Sequence, residues 1–395
     1  LTDNQLMRAS NEAKDIGFEE IAEDLEYLKT KFIKFAKKTL GNKDEVRLKK
    51  ESLLDIVESI RGADELIEYL EKIAQHVHEL KKKSFCSGVA GFLESWMVGD
   101  LGYTRILQKK KFREKEYFSF SLECLDPGIA TKEVFSQIHT AILMSGTLTQ
   151  TAMYGEILGI PNADSLVLKT PFPAKNKISL VAPDVTTKYS ARNSDQFSKI
   201  GKYIVKAANK VPGNVGIFFP SYFVQNKIYE LVWRSIDKPV LMERQGMSKS
   251  EKFEMFEEYK KHSKKGAILF GVVGANFAEG VDFPGNLMNA VVLVGLPLER
   301  PDLLTESLIN YYDVKFKKGW EYGYTYPAMN RAMQAAGRCI RSEKDRGLIL
   351  FLDSRYLWPN YKKLILEEYT PTASKDIDQE IGDFFKNKNT IMGFS

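Results

Sequence analysis

Apolar residues recur at three- and four-residue steps early in the chain: Ile21, Leu25, Leu28, Phe32 and Phe35, then Leu66, Leu70, Ile73, Val77 and Leu80. That period sets them on one stripe of a helix, which predicts an antiparallel helical module over residues 1 to about 83 with the stripes as its core. Gly41-Asn42-Lys43-Asp44 is expected as a turn between two of its helices. From 84 to 120 the texture changes to glycine-rich, aromatic sequence (FCSGVAGFLESWMVGDLGY) and then to the basic QKKKFREKEYFSF. Lysines set among aromatics can be a solvated face, a strand edge or a nucleic-acid surface. Beyond residue 120, short aliphatic runs alternate with helical ones: AILM (141–144), VGIFF (215–219), AILFGVV (267–273), AVVLVG (290–295) and GLILFLD (347–353). Runs apolar at every position predict strands buried on both faces, hence an α/β fold with a parallel sheet covered by helices on both sides.

In such a sheet, ligands sit in the loops after the carboxyl ends of the strands. One helix is well signalled: Ser248 and Glu251 form a capping box before Phe253, Phe256 and Tyr259, and Gly266 closes the segment. A second is expected from Pro327, a good first-turn residue. If it continues through QAAGRCIR, then Gln334, Arg338 and Arg341 fall within about 60° of one another on a single face, with Gly337 leaving room beside them. Guanidinium forks match phosphate oxygens, and an amide can orient a water or read a γ-phosphate. An ordinary surface helix with salt bridges to Glu343 or Asp345 is the plainer alternative.

Four further stretches carry possible chemistry, each with a plainer reading beside it. In GVVGANFAEGVDFPGN, small residues with Glu279, Gly280 and Asp282 follow a strand and could admit a phosphate or sugar; they could equally be a turn between two strands. In FFPSYFVQNKI, Ser221 and Tyr222 face whatever lies at a strand-to-helix junction, or are a capping serine and a core tyrosine. In AILMSGTLTQ, Ser145 and Thr147 would stand at a strand end, a placement that also suits a simple turn. In KGWEYGYTYP, Trp320 and the tyrosines after it are a base-stacking platform, or core packing or a strand edge.

With 395 residues, 44% hydrophobic and 28% charged, the chain has the length of two or three globular domains. A formal net charge of +5 permits a nucleic-acid surface without demanding one. Cys86, Cys124 and Cys339 form no CxxC pair and fit a reducing cytoplasm, and the histidines show no zinc-ligand spacing. No run of eighteen apolar residues occurs, so no membrane span is expected. The chain begins Leu1-Thr2-Asp3, without a methionine or signal peptide.

Taken in order, SGTL, FFPSY, the segment ending EGVDFPG, and QAAGRCIR resemble motifs III, IV, V and VI of the XPD family of superfamily 2 DNA helicases, of the archaeal type. LECLDPG, GLPLERPD and LDSRY are also of that family's kind. The resemblance runs from about residue 110 to the end. It implies a two-lobed RecA-like motor that uses ATP and Mg²⁺ to move 5′ to 3′ on single-stranded DNA in repair. By motif position, Arg338 and Arg341 would reach the triphosphate and Gln334 would sense its γ-phosphate. Glu279, Gly280, Asp282 and Gly337 would belong to the nucleotide side, and Ser221, Tyr222, Ser145, Thr147, Trp320 and Arg355 to the DNA side. Residues 1–109 would be an arch-like helical domain, 110–160 a remnant of the first lobe and 161–395 the second lobe.

The family's Walker A loop, DEAH box and four iron-sulfur cysteines do not occur in this sequence. The expectation is therefore the later part of a helicase. Its other motor half would be a partner, and a 4Fe-4S cluster would sit in that half and not in this chain. A monomer with negligible ATPase alone and weak, salt-sensitive DNA binding follows, placed in the cytoplasm, and at the nucleoid if prokaryotic. A DinG-like helicase fragment, or a non-catalytic half-motor acting in trans, is the alternative.

Overall fold

The periodic stripes at the start of the chain fold as helices: α1 (Asp3–Asp15), α2 (Glu19–Leu40), α3 (Glu51–Glu58), α4 (Ala63–Leu80) and α5 (Phe85–Trp96). The computed structural model describes residues 1–80, 83–112, 115–148, 150–279, 287–298 and 300–386. They divide into two units, the first comprising Leu1–His139, Glu156–Pro161 and Pro301–Gly319, the second comprising the rest.

In the first unit Leu25, Leu28, Phe32, Leu66, Leu70, Ile73 and Val77 meet in one core, as their spacing predicts. The expected turn between helices is different in kind. Gly41, at φ 52°, closes α2, but the chain then enters a strand, β1 (Glu45–Leu48), which pairs antiparallel with β2 (Tyr103–Phe112). The basic stretch is a hairpin, β2 running antiparallel to β3 (Lys115–Cys124) with Lys110 opposite Tyr117 and Lys109 opposite Phe118. The glycine-rich stretch before it is helix α5, capped by Ser84. Burial of Cys86, Val89, Ala90, Leu93 and Trp96 on one face outweighs the weak helix preference of Gly88 and Gly91. The later helix Leu303–Phe316 joins this unit, its Leu303 N–H donating to Glu45 Oε1 at 2.8 Å and its Ser307 hydroxyl accepting from Arg47 Nε at 3.1 Å.

The second unit is built on a seven-stranded sheet in the order β10-β4-β9-β8-β5-β7-β6, parallel at every pairing. Its strands are β4 (Lys177–Val181), β5 (Val215–Phe219), β6 (Val240–Met242), β7 (Ile268–Val272), β8 (Ala290–Val294), β9 (Gly347–Leu352) and β10 (Thr372–Ala373). Residues on β5, β7, β8 and β9 are buried throughout. Alternate side chains feed two cores, one on each face: Ile217, Val292 and Leu350 enter the first, Phe218, Leu293 and Phe351 the second. This is the α/β, RecA-like sheet expected of a second motor lobe. Helices α6 (Gly128–Gln137) and α12 (Leu303–Phe316) belong to the first unit and α7 (Thr151–Ile157) has residues in both, whereas the second unit holds α8 (Ser194–Lys210), α9 (Tyr222–Val232), α10 (Lys249–Lys261), the short α11 (Asn276–Glu279) and α13 (Tyr326–Ala336). The capping box on α10 is present, Ser248 Oγ accepting from Glu251 N and the Glu251 carboxylate from Ser248 N.

AILM departs from expectation. Residues 141–144 form no strand, and Ile142, Leu143 and Met144 are 79%, 52% and 82% exposed. A parallel strand needs neighbours to take its backbone groups and cover both its faces, and among the described residues no strand pairs with this segment.

Candidate functional site

Strands β5 and β7 are neighbours, and their carboxyl ends open into adjacent loops. Val273 N donates to Phe219 O at 2.8 Å, so Pro220–Tyr222 and Val273–Ala275 leave the sheet side by side. Ser221 caps α9, its Oγ accepting from Val224 N at 3.4 Å, which is the plainer of the two readings offered by its position. Tyr222 is half-buried, and burial, then the nearby Glu243 carboxylate, raises its hydroxyl pKa.

Two residues that sequence reasoning passed over fix this corner. Glu243, directly after β6, is completely buried, its Oε2 accepting from Val272 N at 3.3 Å and its Oε1 lying 3.7 Å from Lys252 Nζ. Gln225, also fully buried, donates from Nε2 to Phe270 O at 3.1 Å. Both tie the end of β7 in place. The signal for each was a polar residue inside an otherwise apolar pattern, which is ambiguous without knowledge of depth.

Beyond β7, Gly274 takes φ +83°, a conformation that favours glycine. A Cβ there would stand 3.5 Å from Cδ of Arg331, an exposed residue of α13 also passed over. The backbone of Glu279 lies in α11, while its side chain and the whole of Gly280 and Asp282 fall outside the described residues.

The arginine helix ends earlier than its pattern suggests. Helix α13 stops at Ala336, Gly337–Cys339 is a single 3-10 turn, and Ile340 is extended. Gln334, Arg338 and Arg341 therefore do not share one α-helical face, correcting the projection. The tightening is where Tyr369 packs: its hydroxyl would lie 3.2 Å from a Cβ on Gly337, so the room foreseen beside that glycine is filled. Arg338 is buried and donates from Nε to Ala278 O in α11 at 2.9 Å. Arg341 is exposed in the following turn, its backbone N–H held by Asp345 Oδ2 at 2.7 Å.

Gln334, exposed on the last turn of α13, donates from Nε2 to Thr147 Oγ1 at 3.3 Å. One turn earlier Asn330 donates to the Tyr154 hydroxyl at 2.7 Å. Ser145 Oγ and Thr147 Oγ1 lie 3.3 Å apart in an exposed turn, not at a strand end as expected. Trp320 is exposed with its ring edge-on to Tyr324, 5.5 Å between centroids. The aromatic run is a π-helical turn, Glu321–Thr325, leading into α13, and its Tyr322 is buried.

Arg355 stands apart from these groups. It is buried in a two-pronged pair with Asp353, Nε to Oδ1 at 2.9 Å and Nη2 to Oδ2 at 2.8 Å, with Nη2 also reaching Thr187 Oγ1 at 3.2 Å. The guanidinium expected on a DNA strand thus ties Asp353, after β9, to Thr187 in a second loop.

The chain matches two known families side by side: the helical and beta-bridge domain over residues 42–191 and the helicase C-terminal domain over 204–372. It is 26% identical to the ATP-dependent DNA helicase CHL1 of Scheffersomyces stipitis, covering 81% of this chain and 42% of that protein. It is 24% identical to the General transcription and DNA repair factor IIH helicase subunit XPD of Dictyostelium discoideum, covering 71% and 38%. Among solved structures, the one titled XPD_Helicase superposes with a TM-score of 0.64 at 20% identity over 95% of this chain and 64% of that one. The chain thus spans less than half the length of these curated relatives.

Proposed function

Because this chain belongs to the XPD-like superfamily 2 helicases and corresponds to their C-terminal portion, we propose that it is the second half of an ATP-driven motor moving 5′ to 3′ on single-stranded DNA. The observation that carries the reading is the contact of Gln334 with Thr147, which brings together two motif segments 187 residues apart in sequence. Arg338, anchored on α11, would link the glycine-rich loop to the same side. Residues 1–109 would serve as the arch-like domain and 110–160 as the remnant of the first lobe.

In this reading Arg338 and Arg341 present planar guanidinium donors to the transferring phosphoryl group, and Gln334 responds to the γ-phosphate while bound to Thr147. Ser221, Tyr222, Ser145 and Trp320 contact the strand, and Arg355 acts through the loop it fixes. The donor set suits one side of a triphosphate but not its metal: among the described residues no group of three acidic, histidine or cysteine side chains gathers to hold an ion. The cysteines do not fit an iron-sulfur cluster either. Cys86 and Cys339 are buried and burial drives both thiols up, Cys339 to about 12, the opposite of what a thiolate ligand needs. In this reading Mg²⁺ and the cluster would be held by a partner half. Among the described residues no helix is long and apolar enough to cross a membrane.

The test is a titration of the chain with a labelled single-stranded oligonucleotide from about 50 to about 200 mM salt, where each phosphate contact adds about 0.7 to the log–log slope. Binding that weakens steeply with salt is expected, with ATP turnover at background. An absence of binding at the lowest salt would end the reading. In a protein that also carries the other motor half, Arg338→Ala should remove nearly all DNA-stimulated ATP hydrolysis while strand affinity persists. Unchanged turnover would remove the arginine from the reaction.

A further inference from the structure

We propose that Arg331 is a further phosphate-binding residue, gripping the backbone of a single strand laid along the carboxyl edge of the second unit's sheet. The assignment rests on the strand-binding reading above and adds to it a residue outside the four motif segments.

Three observations converge. Arg331 is exposed on α13, one turn before Gln334, and among the described residues it has no carboxylate partner. Its Cδ and Nε would lie 3.5 and 3.9 Å from a Cβ on Gly274, so the stem of the side chain rests beside a bare α-carbon. Gly274 in turn sits two residues beyond β7, in the loop joined to that of Ser221 and Tyr222 by the Val273–Phe219 hydrogen bond. A planar, permanently charged fork is thereby held at the strand ends where a parallel sheet presents ligands.

The chemistry favours a phosphodiester. Guanidinium forks bind phosphate oxygens with two parallel N–H donors, and most protein–nucleic acid hydrogen bonds are of this positioning kind. A nucleotide phosphate has the same oxygens, so the experiment must separate the two sources. Glu243, an acid at this corner among the described residues, is buried and lies within ion-pair distance of Lys252, so its charge is countered from within the fold.

Arg331→Ala, Arg331→Gln and Arg331→Lys are compared with the parent chain by oligothymidine anisotropy between about 50 and about 200 mM salt, and by calorimetric titration with ATP. The expected result is a log–log salt slope shallower by about 0.7 in the Ala and Gln variants, near-parental slope in the Lys variant, and ATP titrations indistinguishable from the parent. Thermal melts should coincide, since the residue is exposed. A parent that binds the oligonucleotide with a slope unchanged in Ala and Gln overturns the assignment. So does a loss confined to ATP binding. A parent that fails to bind at all overturns the strand-binding reading and this residue's role with it.

Discussion

Asp353, fully buried just after β9, collects donors from three directions: Thr187 N at 2.8 Å, Arg355 N at 3.0 Å and the Arg355 guanidinium. A carboxylate so placed is tolerable only while its cation stays, so Arg355→Ala should cost about 3–5 kcal/mol in urea unfolding. If the loss is under about 1 kcal/mol, Arg355 is better assigned to a ligand than to the fold. Gly295 closes the same pocket at φ +74°, with Thr187 Oγ1 only 2.1 Å from where a Cβ would sit. Gly295→Ala should therefore destabilise by about 1–3 kcal/mol or more, read from the same denaturation curves. At this scale the residue types were legible but their depth was not. A serine before a helix looks the same whether it caps or binds, and Ser221 demonstrably caps. An arginine in LDSRY looks the same whether it faces a strand of DNA or an aspartate two residues away.

Helix α10 shows where local sequence suffices. Its capping box satisfies two donors by side chains three residues apart, and Ser248→Ala should lower stability by about 1 kcal/mol, seen as a shifted denaturation midpoint with unchanged slope. The four central strands β5, β7, β8 and β9 were equally plain, since residues buried on both faces must be apolar at every position, whereas β4 and β6, only partly buried, and the exposed β10 gave no such run. Helix α13 shows the opposite. Its apolar residues keep a helical period past Gly337, yet the backbone tightens there into a 3-10 turn against Tyr369, a residue some thirty positions on that no local window contains. Strand β1 was missed for a related reason. Val46 and its neighbours are too few to show alternation, and their partners lie some sixty residues away.

For the molecule as a whole, stability should carry a pH signature from Lys238. Its ammonium donates to Val211 O and Gly213 O, and burial lowers its pKa from 10.5 to about 8. The unfolded chain then holds more protons than the folded one between those two values, so stability rises as pH climbs from about 8 toward 10.5 and is lost on the way down. The melting midpoint of the parent relative to Lys238→Met should therefore climb as pH goes from about 8 toward 10.5, the thiols and tyrosines that burial raises acting alike in both proteins; a difference that stays flat across the window would contradict the assignment. The α/β class was readable because it follows from the alternation of aliphatic runs and helices. The strand order was not, because it depends on which loops cross which face. One feature of the second unit bears on handling in solution. Leu166, Val167 and Leu168 are each more than three-quarters exposed, like Ile142 and Met144, and both stretches are rich in the branched aliphatics that pair readily between chains. The isolated chain should scatter light increasingly with concentration and temperature. Met144→Lys with Val167→Lys should delay that turbidity without moving the melting midpoint, making these two stretches the first place to intervene when the protein precipitates.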